Sequence, residues 1–293
     1  MGRRANATTG RRGALVAPPT WARHASADLT KLAAQWVRMG AALSVPASRA
    51  VVDLEALIIS TADVAPDDER VFVVAATWLG QYHAFVNGRR LAALAAALSS
   101  TPALAGGDVT PTDARCRAET SAVLGALLWF ADHLAGHGEP FAAVRARCRP
   151  LAPGMPLFRV VRAMPSMAAD AESRALPGFA QWGVWHDDVT PKREAIRPIP
   201  WLLSHVPELQ IRAVVGPLLE ADVLTAVLVG GPGERRPEPE GVTVRDVARA
   251  YQVSYAAAHA SAEQLVLRGL LVRERDGVRQ VLRASRWACA LVG

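Results

Sequence analysis

From Thr243 onward the chain carries eight arginines, Arg245, Arg249, Arg268, Arg273, Arg275, Arg279, Arg283 and Arg286, against four acids, Asp246, Glu263, Glu274 and Asp276. A guanidinium is a permanent cation whose donor fork fits phosphate oxygens, so this excess suits a polyanionic partner. Two other clusters could do different chemistry. The stretch WGVWHDDVTPKRE gathers His186, Asp187, Asp188, Lys192 and Glu194; an imidazole and two carboxylates suit a divalent cation, and with Lys192 they suggest a metal nuclease, although Asp-Asp before Thr-Pro is also ordinary turn or cap chemistry. His133 and His137 lie four apart with no third ligand nearby, which reads either as a partial metal site or as a helix end. Trp78, Tyr82, His83 and Phe85 either line a ligand pocket or form core. No Gly-rich phosphate loop, Gly-x-Ser-x-Gly elbow or catalytic cysteine context is present, and the reading is of a protein that is not an enzyme and takes neither cofactor nor metal.

These residues need a scaffold, and the composition points to helices. Hydrophobic residues make up 51% of the 293 and aromatics only 6%, so the apolar mass is mainly Ala, Leu and Val. The length suits two domains. Three separated cysteines, Cys116, Cys148 and Cys289, form no zinc pattern and fit a reducing, cytoplasmic setting. No apolar run is long enough to span a bilayer, so no membrane partner is expected. The net charge is +6 and is concentrated at the two ends: residues 1–24 contain five arginines and no acid, which leaves the middle of the chain acidic on balance.

Residues 1–25 read as a disordered basic arm able to add phosphate contacts. Residues 26–149 read as a helical domain. Its first helix is expected over Asp28–Leu43, a second follows from Val51, a third starts at the Asp67–Glu69 acids and stops at Asn87-Gly88, RRLAALAAALSS supplies another short one, and a long one runs from about Thr112 to Gly136. Prolines crowd residues 150–208, which predicts a connecting segment of short pieces, with LFRVV and FAQWGVW as short strands and PWLLSHVPEL as a brief helix. Residues 209–293 form the last domain. There LLEADVLTAVLV is a helix, Thr243 caps VRDVARAY, a turn follows at Gln252-Val253, and Ser254 caps YAAAHASAEQLVLRG with Ala258, Ala262 and Leu265 facing inward. The alternation of LLVRERDGVRQVL around Asp276-Gly277 predicts a β-hairpin with that dipeptide at the turn.

The sequence DVARAYQVSYAAAHASAEQLVLRGLL, with Val-Ser at the turn and Gly-Leu-Leu leading into the hairpin, resembles the winged helix-turn-helix bacterial transcription regulators of the broad ArsR/MarR-like kind, over roughly residues 209–286. Where such proteins often place glycine in the turn, this chain has Gln252. The resemblance implies a mainly α fold, a helical N-terminal domain plus a C-terminal winged helix with a short β-hairpin wing. It also implies double-stranded DNA as partner and a homodimer. The second helix would then enter the major groove with Ser254, Tyr255, Ala257, His259 and Ser261 exposed, and Thr243, Arg249, Arg273, Arg275 and Arg279 would hold phosphates. No Arg, Asn or Gln lies in the first two turns of that helix, so phosphate contacts would dominate base readout. The competing reading is a protein partner, an antitoxin or defence-system component gripping another chain through its helical half.

Overall fold

Aromatic side chains of the first half of the chain collect in one place, and the helices are the means of bringing them there. The computed structural model describes residues 20–99, 111–187, 189–233, 241–277 and 279–291. Helix α1 (Thr20–Arg38) begins inside the expected arm, whose residues 1–19 lie outside the described part, and it stops earlier than the periodicity suggests. Gly40 ends it: at φ +90° it turns the chain so that the Ala41 amide reaches back to the Trp36 carbonyl at 2.9 Å. That is the left-handed helix stop glycine favours.

Asp53 caps α2 (Leu54–Val64) by accepting from the Ala56 amide at 3.1 Å, and Asp68 caps α3 (Glu69–Tyr82) through the Arg70 amide at 2.8 Å. After a 3-10 turn at His83–Phe85, Asn87 starts a helix rather than ending one: its side chain accepts from the Arg90 amide at 3.1 Å, opening α4 (Gly88–Ser99). Helix α5 (Pro111–Ala135) is the spine, packed against α2, α3 and α4, and Gly136 at φ +74° closes it. A single turn, α6 (Ala142–Arg145), follows.

The Pro-rich segment is a wall of this body. It contributes β1 (Met155–Pro156), α7 (Arg159–Arg162), α8 (Pro165–Ser173), α9 (Pro177–Ala180), β2 (Val184–Trp185) and α10 (Ile199–His205), with β1 and β2 paired in parallel over two residues. LFRVV is therefore not a strand: Leu157 and Phe158 are anchors sunk in the core, and Arg159 onward turns helical. Only the end of FAQWGVW is extended, since Phe179 and Ala180 belong to α9. Phe179, Trp182, Val184, Ile196 and Leu202 join Trp36, Phe72 and Trp78 in one core that runs to Leu209.

A second core begins at Ile211, in α11 (Pro207–Val215), and is built from α12 (Leu219–Leu228), α13 (Val244–Ala250), α14 (Tyr255–Leu267) and an antiparallel pair, β3 (Leu271–Asp276) and β4 (Arg279–Ala284), followed by a single turn, α15 (Arg286–Cys289). Val242 bridges to Leu282 and gives the hairpin a third edge. Ala258 and Ala262 are fully buried, the small side chains that let α14 lie close to α12 and α13. The molecule is mainly helical, with this small antiparallel sheet near the C-terminal end. No helix among the described residues is long and apolar enough to cross a membrane.

Candidate nucleic-acid interface

Helix α13 starts with a complete capping box. The Thr243 hydroxyl accepts from the Asp246 amide at 3.2 Å while the Asp246 carboxylate accepts from the Thr243 amide at 3.1 Å and from its hydroxyl at 2.6 Å. The helix ends on Gln252, which sits at φ +52°. With Gln252 in the left-handed region, the Val253 amide reaches back to the Ala248 carbonyl at 3.0 Å, and the turn is as tight as a glycine would make it. Ser254 then caps α14, accepting from the Ala257 amide at 3.2 Å.

The hairpin is registered one residue away from the expected turn. Asp276 pairs with Arg279 and ends β3, so Gly277, at φ +59°, is the first turn residue; residue 278 lies outside the described part. A two-residue hairpin turn demands positive φ at that first position, and glycine meets the demand more cheaply than aspartate.

Between these elements lies an open groove of about 550 Å³. Six of the nine sequence-predicted residues line it together: Thr243 and Arg249 from α13 and its cap, Tyr255 and His259 from α14, Arg273 from β3 and Arg279 from β4. Ser254, Ala257 and Arg275 are exposed but stand outside the groove lining. Arg245 and Gln280, which sequence reasoning did not single out, also line it. Ser261 does not face outward: it is 8% exposed, three residues on from Ala258 on the inner face.

Electrostatics sort the arginines into two kinds. Arg273 is half-buried and ion-paired with Glu263 of α14, with the His259 Nε2 3.4 Å away, and His259 itself lies 3.7 Å from Glu263. Arg283 is tied to Glu274 at 2.8 Å across the strands. Arg245, Arg249, Arg275 and Arg279 have no ion-pair partner among the described residues and are exposed. The only sequence signal for Glu263 is its place one helical turn after His259.

The other clusters are put to structural use. Trp78, Tyr82 and Phe85 are buried and stack edge to face, Trp78 donating to the Met39 carbonyl at 2.8 Å. His186 packs its edge against Phe158 and Phe179, Asp187 lies 3.6 Å from both His186 and Arg174, and Asp188 is outside the described residues. His133 stacks on Trp129. Among the described residues, no three His, Cys, Asp or Glu side chains gather closely enough to hold a metal ion. Compared with family models, with curated proteins and with solved structures, the chain matches none.

Proposed function

We propose that the C-terminal unit is a winged helix-turn-helix that binds duplex DNA through phosphate-dominated contacts, and that the protein is a transcription regulator acting as a homodimer. The observation that carries this reading is the convergence of Thr243, Arg249, Tyr255, His259, Arg273 and Arg279, drawn from four elements, on one open groove. Helix α14 supplies the major-groove face, where Tyr255 is 56% exposed and Ala257 offers only apolar contact. Arg245 and Arg249 on α13 and Arg275 and Arg279 near the hairpin tip, exposed, would hold backbone phosphates around it. Arg273, engaged by Glu263, fixes the hairpin against α14 rather than reaching outward. One such unit covers little DNA, which favours two copies on one site.

Fluorescence anisotropy with duplexes of several sequences, across a range of salt, tests the proposal. Affinity falls steeply with salt, and replacing Arg249, Arg275 and Arg279 with Ala weakens every duplex alike and flattens the log-log slope by roughly 0.9 for each phosphate left unneutralised. Binding indifferent to salt and to the triple replacement overturns it. A stoichiometric protein partner, co-purified with no DNA retained, favours the partner-protein reading instead.

A further inference from the structure

Five buried charges from both halves of the molecule meet at the junction of the two cores. Arg212 of α11 donates to both oxygens of Glu55 on α2, at 2.6 and 2.8 Å, to Asp222 Oδ1 on α12 at 2.7 Å and to the Phe85 carbonyl at 2.7 Å. Arg90 of α4 forks onto Asp53, also reaches Glu55 at 3.0 Å, and donates to the Tyr251 carbonyl, the residue before the α13–α14 turn, at 3.0 Å. The guanidinium also lies over the Tyr251 ring. All five side chains are at least nine-tenths buried.

The charges do not balance: three carboxylates face two guanidinium groups. Glu55 has both oxygens filled, its Oε1 accepting from the Asn87 amide at 2.7 Å as well as from Arg212. Asp53 holds its arginine and the α2 cap together. Asp222 is the exception. Its Oδ2 has no hydrogen-bond partner, and Arg90 Nη1 stands 4.0 Å from it, beyond hydrogen-bond reach.

We propose that this cluster is a proton-operated latch between the helical body and the C-terminal unit: it takes up one proton, on Asp222 Oδ2, at mildly acid pH, and the uptake tightens the junction. A neutral carboxyl is far cheaper to bury than a carboxylate lacking one of its hydrogen bonds, and one proton brings the cluster to charge balance. Burial pushes Asp222 up to about 6, with Glu55 and Asp53 adding to the push and Arg212 and Arg90 opposing it. Burial also acts on Glu55, but Arg212 and Arg90 outweigh it and hold that carboxyl below its usual range. Tyr251 is the remaining titratable neighbour, its phenol pushed up by burial and the nearby carboxylates, so it stays neutral throughout. Helix α14 and β4 also pack on α12, and their ionisable side chains, Tyr255, His259, Glu263, Arg279 and Arg283, stand at exposed or half-exposed positions.

The sign follows from proton linkage. A carboxyl whose folded pKa lies above its unfolded one contributes stability that is fully present below the unfolded pKa, near about 3.9, and lost as pH rises through the folded pKa. The junction is therefore tighter near about pH 5 than near pH 8, by roughly tenfold in its opening equilibrium.

Hydrogen exchange in α12 and α13, measured on the full chain without DNA and compared at each pH with Asp222→Asn, tests the latch independently of what the groove binds. Taking the ratio at each pH cancels the intrinsic exchange rates. The wild-type to Asp222→Asn ratio of exchange rates rises about tenfold between about pH 5 and about pH 8. Asp53→Asn keeps the helix cap but removes one of the carboxylates that raise Asp222, so it shrinks the pH-dependent step and moves it to lower pH even if Asp222→Asn folds poorly. A wild-type to Asp222→Asn ratio that stays constant over this range overturns the proposal, as does an unchanged step in Asp53→Asn.

Discussion

The two cores are built on opposite plans. The body keeps its distinctive side chains inside: Trp36, Trp78, Phe72, Phe141 and Phe179 are fully buried, and the Pro-rich segment covers them. The C-terminal unit has a core of Ala, Val, Leu and Ile with a single aromatic, Tyr251, and it places its arginines, Tyr255 and Trp287 outside. A core so small and so poor in aromatics buries little apolar surface for its length, the regime in which a domain gains from a neighbour. The Arg90–Arg212 cluster is where it gets one. The body is organised to be stable, and the C-terminal unit is organised to present a surface, with its attachment supplied from the other side.

Arg212→Ala is the change that breaks this division most directly. It leaves Asp222 and the Phe85 carbonyl without their donor and Glu55 with only Arg90 and the Asn87 amide, at a buried junction. Removing one partner of a buried ion cluster costs about 3–5 kcal/mol. Denaturant unfolding should show that loss with the C-terminal unit melting before the body. A single transition, shifted as a whole, would mean that the two cores are one cooperative piece and differ only in composition.

Gly125→Ala probes the body alone. Gly125 lies in the middle of α5 under the flat face of Trp182, and a methyl group there would overlap the ring. Overpacking costs about 1–3 kcal/mol, offset by up to ~1 kcal/mol of helix propensity, so a net loss of about 1–2 kcal/mol is expected. Near-neutral thermal unfolding would show that the Pro-rich wall yields, and that the body is less tightly jointed than its core suggests. DNA affinity, where present, should be untouched.

How much of this was legible in the sequence differs between the two halves for the same physical reason. The C-terminal unit is made of near-neighbour signals: Thr243 with Asp246, Ser254 with Ala257, and alternation through β3 and β4. Local chemistry of that kind is readable in order, and six of the nine named residues do meet in one groove. The misreadings there are also local, a hairpin turn one residue late and a Ser261 turned inward. In the body, capping and periodicity mark the helices, but Asn87, read from the sequence as a stop, caps the next helix through the Arg90 amide. The latch was invisible. Asp53, Glu55, Arg90, Arg212 and Asp222 are spread over most of the chain, and each taken singly looks like an ordinary surface charge. Only folding makes them neighbours, and only their burial makes them consequential.

The smallest predicted effect lies at the seam between the two plans, in Gln252. A non-glycine residue held in the left-handed region carries a strain of about 1–2 kcal/mol, while glycine would give back about 0.5–1 kcal/mol of that through its freer unfolded chain. Gln252 is exposed, and its side chain makes no hydrogen bond among the described residues, so nothing in the folded state offsets the strain. Gln252→Gly should therefore stabilise the C-terminal unit by about 0.5–1 kcal/mol, visible as a higher denaturant midpoint with an unchanged m-value. The α13–α14 turn would keep its shape, because the Val253 amide already reaches the Ala248 carbonyl as in a glycine-stopped helix. A loss of stability instead would mean that the glutamine side chain is held by a contact across the junction, and the C-terminal unit would then lean on the body through this turn as well as through the buried charges.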